Sequence, residues 1–197
     1  VNYGSASTPD VKYAYDRHGN RTAMTDGAGT ISYAFDAYDQ LTSVRDSADA
    51  ATRADFAYEY DELGNIGRTV GPNGDLTYTY TGDGLLDTVS SHSAGPNPVI
   101  LADYGYGPLG VPTEASFSNG TGWARAYDTV GRVERIVHKG RDGTSIVDDT
   151  YRRDAVGNPT HVIHQKGTDA EVTDTYSYDD LDRLVEVCYQ STDCAQA

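Results

Sequence analysis

The stretch that decides the fold covers residues 58–65 and reads Tyr58-Glu59-Tyr60-Asp61-Glu62-Leu63-Gly64-Asn65. Two tyrosines separated by one residue lie on the same face of a β-strand, because side chains alternate along a strand with a period of two. The Asp-x-x-Gly segment that comes next is typical of a type I turn, in which Asp at the first position caps the backbone and Gly takes the fourth position. The stretch therefore predicts a strand that runs into a tight hairpin turn.

This pattern recurs eight times and organises nearly the whole chain. The residue directly after the second aromatic position, which we call the turn-start residue, falls at positions 16, 36, 61, 81, 107, 128, 154 and 179, in steps of 20 to 26 residues. Repeats 1 to 8 cover residues 13–22, 33–44, 58–70, 78–89, 104–113, 124–136, 151–162 and 176–187. A regular period of this size is typical of repeat proteins, in which each copy is one supersecondary unit that packs against its neighbours.

The turn residues predict a particular kind of hairpin. Gly stands three residues after the turn-start residue in most repeats, and Asp39 and Asp182 take that place in repeats 2 and 8. Asp tolerates the left-handed backbone conformation better than most residues, and a type I turn followed by a left-handed residue predicts a three-residue hairpin loop with a bulge. After the turn, Leu41 and Val44 have opposite parity, so either a bulge shifts the second strand or both of its faces are partly covered.

Composition favours an all-β fold. Leu, Ile, Val and Phe make up only 34 of 197 residues, but the chain has 16 Tyr, whose rings bury apolar surface and favour strands. The turn formers Asp and Gly number 24 and 21, whereas the helix former Glu numbers 6. These values exclude a helical bundle and predict a repetitive antiparallel β-hairpin meander of about sixteen strands. No shift in composition marks a boundary, so residues 1–197 are predicted to form a single repeat unit, with the repeats over roughly residues 11–187.

Charge argues against two classes of partner. With 15 basic and 30 acidic residues the formal charge is −15, and the three lysines, Lys12, Lys139 and Lys166, are scattered along the sequence. Phosphate binding needs clustered Lys and Arg, so nucleic acid and acidic membranes are poor partners. No apolar run approaches the ~20 residues of a spanning helix, which argues against membrane insertion. The chain does not begin with Met and shows no signal peptide, so we expect a processed product or a fragment.

No residue is predicted to be catalytic, cofactor-binding or metal-binding, and no cofactor is expected. His161 and His164 would share a face on a helix, but on a strand they face opposite sides. His18, His92 and His138 stand apart from one another in the sequence. The Asp-rich turns invite a calcium interpretation, above all at residues 179–182 and 148–149. No repeat matches an EF-hand or a calcium-binding β-roll, however, so turn capping is the favoured interpretation.

Two features leave alternatives open. The only cysteines, Cys188 and Cys194, would close a small disulfide loop outside the cell and would stay reduced inside it. The aromatic residues either stack across neighbouring strands as a structural ladder, which is favoured, or form an exposed stripe that stacks on sugar rings. This aromatic set consists of Tyr13, Tyr15, Tyr33, Phe35, Tyr58, Tyr60, Tyr78, Tyr80, Tyr104, Tyr106, Tyr176 and Tyr178.

The repeat Tyr-x-Tyr-Asp-x-x-Gly-Asn/Arg-Leu-Thr resembles the YD repeat of the Rhs family, which includes bacterial polymorphic toxins, the shell subunits of insecticidal toxin complexes and the animal teneurins. Residues 58–65 and 176–183 carry the closest copies, and the resemblance covers roughly residues 11–187. It implies a spiral antiparallel sheet that wraps into a hollow shell, which encloses a C-terminal toxin in the toxin members. Such shells need more than eight repeats, and the sequence contains no Asp-Pro of the kind found in the self-cleavage motif. We therefore expect one segment of a larger shell.

The leading hypothesis is a non-enzymatic structural segment of a secreted or exported Rhs-type shell that encloses or carries a C-terminal toxin in the parent protein. The alternatives are a cell-surface carbohydrate-binding or adhesion module and a self-assembling extracellular filament subunit. The expected partners are further YD repeats of the same protein or other copies, with an enclosed toxin domain or surface glycans as further candidates. The resemblance also implies a bacterial source and a secreted or cell-surface location.

Overall fold

The structure is a computed structural model, and it describes residues 10–47, 55–92 and 97–191. Within these ranges the chain forms sixteen β-strands, whose sheet order follows the sequence from the first strand to the last. The predicted all-β antiparallel meander of about sixteen strands is confirmed. The strands are β1 (Lys12–Tyr15), β2 (Arg21–Thr25), β3 (Thr30–Phe35), β4 (Leu41–Asp46), β5 (Phe56–Tyr60), β6 (Ile66–Gly71), β7 (Gly74–Tyr80), β8 (Leu86–Ser91), β9 (Val99–Tyr106), β10 (Pro112–Phe117), β11 (Gly122–Tyr127), β12 (Val133–Lys139), β13 (Ser145–Arg153), β14 (Pro159–Lys166), β15 (Val172–Tyr178) and β16 (Leu184–Cys188).

By its internal contacts the chain divides into two compact units. The first consists of Val1–Tyr80 and Val89–Val99, and the second of Thr81–Thr88 and Ile100–Ala197. Repeats 1 to 3 lie in the first unit and repeats 5 to 8 in the second, and each unit is built from the same kind of hairpin. The single repeat unit expected over residues 1–197 stays a prediction.

Each repeat forms the hairpin that its turn residues predict. In repeat 3 the Asp61 N–H donates to the Asn65 carbonyl at 2.9 Å, and the Gly64 N–H donates back to the Asp61 carbonyl at 3.0 Å. Gly64 takes a left-handed φ of 84°, and the residues that replace glycine, Asp39 and Asp182, do the same with φ values of 61° and 57°. The three-residue loop with a left-handed last residue is therefore confirmed, including the two Asp replacements.

A bulge lies directly after the turn. Tyr60 pairs with Ile66, but its neighbour Glu59 pairs with Arg68, so Gly67 is an extra residue in the second strand. The same shift separates the Phe35–Leu41 pair from the Ala34–Ser43 pair in repeat 2. This bulge explains the opposite parity of Leu41 and Val44, because the extra residue returns the later side chains to the tyrosine face.

Burial is shallow in both units. Among the described apolar residues the most buried are Ala115 at 5% and Val162 at 7% exposed, and no large side chain is fully enclosed. Stability must therefore come from backbone hydrogen bonds between strands and from half-buried side-chain pairs on the strand faces. The described part of the chain holds no helix that is long and apolar enough to span a membrane.

Candidate functional site: the repeat turn and the contacts between repeats

The turn-start carboxylate binds its own turn through both oxygen atoms. In repeat 3, Asp61 Oδ1 accepts hydrogen bonds from the backbone N–H groups of Leu63 at 2.9 Å and Asn65 at 2.8 Å. Asp61 Oδ2 accepts a third bond from the Asn65 side-chain amide at 3.0 Å. The Asn65 amide donation leads the set of bonds that lower the pKa of Asp61. The recurring Asp-x-x-Gly-Asn sequence is thus one closed hydrogen-bonded unit.

Arginine takes the place of asparagine in two repeats. The Arg132 guanidinium donates to Asp128 Oδ2 at 2.7 Å in repeat 6, and the Arg183 guanidinium donates to Asp179 Oδ2 at 2.7 Å in repeat 8. The Arg183 contact lowers the pKa of Asp179.

Of the carboxylates considered above as calcium ligands, Asp179 is therefore engaged by its own turn, and Asp182 accepts a hydrogen bond from the Asn158 side chain at 3.0 Å. Asp148 and Asp149 lie on β13, where they contact Arg135 and His164. Within the described ranges, no group of three or more His, Cys, Asp or Glu side chains could hold a metal ion.

The second tyrosine of a repeat connects that repeat to the one before it. The Tyr60 hydroxyl donates to the Leu41 carbonyl at 2.9 Å, and the acceptor lies five residues after the preceding turn-start residue. The same offset holds for every contact of this kind, which we call the tyrosine latch. The other latches are Tyr80 to Ile66 at 2.9 Å, Tyr106 to Leu86 at 2.7 Å, Tyr127 to Pro112 at 2.8 Å and Tyr178 to Pro159 at 2.9 Å.

Burial affects the pKa of two latch hydroxyls. It raises the pKa of Tyr60 and of Tyr80, and a nearby turn carboxylate raises each further. In repeat 7 the latch position holds Arg153, whose guanidinium donates to the Val133 carbonyl at 3.2 Å. A latch contact is therefore also possible without tyrosine. Among the residues at the latch position, only Phe35 in repeat 2 lacks a hydrogen-bond donor. Sequence reasoning missed this role, although the excess of 16 Tyr over 3 Phe indicates that the hydroxyl matters.

Replacing Phe35 with tyrosine should add the missing latch. The acceptor that the offset indicates is the Arg21 carbonyl, five residues after Asp16. One new half-buried hydrogen bond is worth about 0.5 to 1.5 kcal/mol, so we expect the free energy of unfolding to rise by that amount. Chemical denaturation of the wild type and Phe35→Tyr would measure it. An unchanged or lower midpoint would show that the offset does not extend to repeat 2.

The first tyrosine of a repeat has a different neighbour from the one expected. In the six hairpins where the partner of a first tyrosine is described, an aliphatic residue, a methionine or a threonine stands directly opposite it on the paired strand. These pairs are Tyr13–Met24, Tyr33–Val44, Tyr58–Thr69, Tyr104–Ala115, Tyr151–Val162 and Tyr176–Val187. Because the hairpin fixes this register, first tyrosines of successive repeats lie on alternate strands, about 10 Å apart. The aromatic rows are therefore interleaved with aliphatic side chains instead of forming the direct ladder that we predicted.

Arginines lie over some of the rings on this face. The Arg21 guanidinium carbon is 4.7 Å from the Tyr33 ring centroid, and that of Arg125 is 4.1 Å from the Trp123 ring centroid. Cation–π contacts at partly exposed positions contribute roughly 0.5 to 1 kcal/mol each. They also occupy ring faces that an exposed sugar-binding stripe would need to leave open.

The strands that join one repeat to the next follow a second fixed register. The residue seven positions after a turn-start residue pairs with the residue four positions before the next one. This rule, which we call the joint register, holds at every joint whose pairing is described: Ala23–Ser32, Ser43–Ala57, Arg68–Thr77, Glu114–Ala124, Arg135–Thr150 and His161–Thr175.

The tips of the turns expose apolar side chains. In six of the eight repeats the residue two positions after the turn-start residue is Tyr38 or Leu63 in the first unit, or Leu109, Val130, Val156 or Leu181 in the second; all six are between 69% and 85% exposed. Repeats 1 and 4 have His18 and Asp83 at this position. A solvated turn normally carries polar residues at its tip. Each of these rows is therefore a candidate contact surface, and it lies among the acidic turn-start residues.

The histidines do not come together. On β14, His161 and His164 lie on opposite faces, as expected for a strand. His164 Nδ1 lies 2.8 Å from Asp149, and His164 Nε2 lies 3.5 Å from Asp174. His18 Nδ1 lies 2.8 Å from Asp39 and so connects the turns of repeats 1 and 2; this hydrogen bond raises the pKa of His18.

The remaining histidines, His92 and His138, have different neighbours. His92 Nε2 lies 3.2 Å from the Thr77 hydroxyl, and His138 pairs with Trp123 and Val147 on the neighbouring strands. Cys188 is disulfide-bonded, whereas Cys194 lies outside the described residues.

One groove in the second unit has a glycine-rich lining. It encloses about 310 Å³, and Asp103, Glu114, Ser116 and Lys139 contribute polar side chains to it. Added side-chain atoms at Gly105 would meet Glu114, and those at Gly122 would meet the Ala115 carbonyl. The glycines therefore serve close strand packing, and the groove shows no nucleophile paired with a base.

These features define a protein built from one repeated antiparallel hairpin, latched to its neighbours by tyrosine. Comparison with known proteins agrees with this repeated-hairpin fold. Residues 15–52 match the family model described as RHS Repeat. The predicted resemblance to the Rhs/YD-repeat family is confirmed over these residues. No curated protein sequence matches the chain.

Solved structures share the fold. The crystal structure of TcdB2-TccC3 aligns with 91% of this chain at a TM-score of 0.71 and 16% identity, and that of TcdB2-TccC3-Cdc42 aligns with 91% at 0.70 and 16%. A third, of TcdB2-TccC3 without its hypervariable C-terminal region, aligns with 91% at 0.69 and 16%. The chain spans only 10 to 11% of the length of these solved chains.

Proposed function

We propose that this chain is a non-enzymatic wall segment of an exported Rhs-type shell, and that its parent protein encloses or carries a C-terminal toxin in that shell. The tyrosine latch is the observation that carries the proposal. It recurs at one offset in both units, from Tyr60 to Leu41 in the first and from Tyr127 to Pro112 in the second. The contact uses a side chain and a backbone carbonyl to join repeats 3 to 8 to the preceding repeat, and it offers no group to a substrate.

The shallow burial supports a wall. A globular enzyme places its catalytic groups on a packed core, whereas here the described side chains on both strand faces are mostly half-exposed. The fold likeness to the TcdB2-TccC3 chains supports the same assignment, and one of those chains is described as lacking a hypervariable C-terminal region. By analogy we assign a variable C-terminal cargo to the parent of this chain.

Export is consistent with the cysteine chemistry. Cys188 is disulfide-bonded, and structural disulfides persist in oxidising compartments. Rhs-type toxin-complex proteins are typically secreted or extracellular, which supports the same location for the parent of this chain. Carbohydrate binding and adhesion stay predictions from the sequence, because neither the contacts described above nor the likenesses support them.

The test is made on the native gene product from its source. Intact mass and C-terminal peptide sequencing, followed by limited proteolysis before and after denaturation, would identify any segment C-terminal to residue 197. We expect further YD repeats, a cleavage site and an unrelated C-terminal domain that resists protease only while the shell is folded. A mature chain that stops near Ala197 would overturn enclosure of a toxin, as would a C-terminal domain that is cleaved equally in both states.

A further inference from the structure

Asp39 and Asp182 occupy the left-handed turn position, three residues after the turn-start residue, where the other six repeats have glycine. Backbone tolerance permits aspartate there, but it does not explain why only repeats 2 and 8 use it. We propose that an aspartate at this position is the acceptor for an asparagine in the turn of the preceding repeat, and that this pair determines which repeats can be neighbours. The inference goes beyond the assignment of a wall and does not depend on an enclosed toxin.

Both aspartates accept a hydrogen bond from the preceding turn. Asn20 Nδ2 donates to Asp39 Oδ1 at 2.7 Å, and Asn158 Nδ2 donates to Asp182 Oδ1 at 3.0 Å. Each asparagine stands four positions after the turn-start residue of its own repeat, which we call the turn-end position. The same amide groups also donate to the turn-start carboxylates of their own repeats, at 3.2 and 3.1 Å. Each asparagine is therefore held by its own turn while it contacts the next one, and its bonds to carboxylates are charge-assisted.

A long turn-end side chain is followed by glycine. The pairs of this kind within either unit are Gln40–Gly64, Leu85–Gly110 and Arg132–Gly157. A Cβ added at Gly64 would lie 3.0 Å from Gln40 Nε2, and one added at Gly110 would lie 3.3 Å from a Leu85 methyl carbon. At Gly157 an added Cβ would overlap the Arg132 guanidinium. The turn-end side chain thus covers the glycine of the next repeat, and a larger residue there would displace it.

Open space alone does not select aspartate. The turn-end residue Val111 precedes Gly131, and no atom lies within 4 Å of a Cβ added at that glycine. The valine side chain has no donor, so an aspartate at position 131 would keep the backbone cost of a left-handed residue and gain no partner. The asparagine donor, and not the available room, therefore distinguishes the two aspartate positions. Glycine sets no such requirement on the preceding turn.

The pair between repeats 1 and 2 includes a histidine. His18 Nδ1 lies 2.8 Å from Asp39 Oδ1, and Arg17 Nε donates to His18 Nε2 at 3.1 Å. Asp16 and Asp36 are the other charged groups that line the same groove. The bond to Asp39 raises the pKa of His18. The contribution of this contact to stability is therefore fully present below the ordinary histidine pKa of about 6.5 and is lost as the pH rises through the raised value.

A double-mutant cycle on repeats 7 and 8 tests the pair. Chemical denaturation compares the wild type with Asn158→Ala, Asp182→Gly and the double variant. We expect the loss in the folding equilibrium constant caused by Asn158→Ala to be about twofold to fivefold smaller when residue 182 is glycine. The bond from Asn158 to its own turn is lost in both backgrounds and cancels. Additive effects of the two substitutions would overturn the proposal.

A transplanted pair tests the requirement for a donor. Gly64→Asp should lower the folding equilibrium constant about fivefold in the wild type but less than twofold in a Gln40→Asn background, because the shorter amide leaves room for the new carboxylate and donates to it. The matched control is Gly131→Asp, whose effect should be the same with Val111 or with Val111→Ala, since neither side chain has a donor. An equal loss in both backgrounds at position 64, or an equal recovery in the control, would contradict the requirement.

The histidine provides a readout that does not depend on global stability. In an NMR titration of the folded chain, Asp39→Gly should lower the pKa of His18 toward its ordinary value, because the substitution removes the acceptor in the neighbouring turn. Asp182→Gly makes the same substitution in repeat 8 and should leave the His18 titration unchanged. If Asp39→Gly also leaves it unchanged, Asp39 is not the group that connects the two turns, and the proposal fails for repeats 1 and 2.

Discussion

Replacing Tyr60 with alanine is expected to lower the free energy of unfolding by about 2 to 4 kcal/mol, because the substitution removes both a half-buried ring and a latch. The ring pairs with Ile66 across the hairpin, and the hydroxyl donates to the Leu41 carbonyl at 2.9 Å. Removal of the hydroxyl also leaves a partly buried carbonyl without its donor. The effect should appear as a lower melting temperature and a lower denaturation midpoint.

Two companion variants separate the contribution of the Tyr60 hydroxyl from that of the ring and provide an exposed control. Tyr60→Phe keeps the ring and removes the donor, so it should cost about 1 kcal/mol. Leu63→Ala, at a turn tip that is 82% exposed, should stay within about 0.5 kcal/mol of the wild type. If Tyr60→Ala left the melting temperature unchanged and altered ligand binding instead, the tyrosines would be a binding surface and not part of the wall.

The repeat allowed most of the fold to be read from the sequence. Tyr-x-Tyr indicated the strand, and Asp-x-x-Gly indicated the turn, because both patterns act over a few neighbouring residues. Even the replacement of glycine by Asp39 was predictable, since Asp tolerates a positive φ, here 61°. From the sequence, the bulge at Thr42 is one of two alternatives, because parity alone does not distinguish a register shift from a strand covered on both faces.

The contacts between repeats were not predictable in the same way. The acceptor of a latch is a backbone carbonyl, and every residue has one, so only position in the register distinguishes the acceptor. Tyr60 reaches Leu41 across 19 residues, whereas Tyr80 reaches Ile66 across 14, so no fixed sequence separation shows the contact. The offset from the turn-start residue is constant, but only the register of the folded sheet shows that the carbonyl at this position faces the tyrosine hydroxyl.

The Arg153 contact is a second one that the sequence pattern does not predict. By sequence, repeat 7 looks like a degraded copy, because the second tyrosine is missing. In the structure the Arg153 guanidinium reaches the Val133 carbonyl at the latch offset. Tyrosine and arginine can therefore make the same contact between repeats. The position requires a long side chain that ends in a hydrogen-bond donor, and it does not require an aromatic ring.

Gly131→Val should be the second most damaging of the substitutions, with a loss of about 2 kcal/mol in the free energy of unfolding. Gly131 has a φ of 84°, and an L-residue in the left-handed region costs roughly 1 to 2 kcal/mol, more when it is β-branched. No atom lies within 4 Å of an added Cβ, so the cost comes from the backbone and not from a clash. Thermal and chemical denaturation of the folded chain would measure it.

The other repeats supply the control residues for this position. Asp39 and Asp182 hold the equivalent place with φ values of 61° and 57°, so Gly131→Asp should cost less than about 1 kcal/mol. Gly82 is a turn glycine without a positive φ and with open space around it, and Gly82→Ala should therefore cost little. If valine and aspartate at position 131 were equally harmful, the left-handed backbone would not be what selects glycine there. The Asp replacements in repeats 2 and 8 would then need a different explanation, with hydrogen bonds such as that from Asn20 to Asp39 as the first to examine.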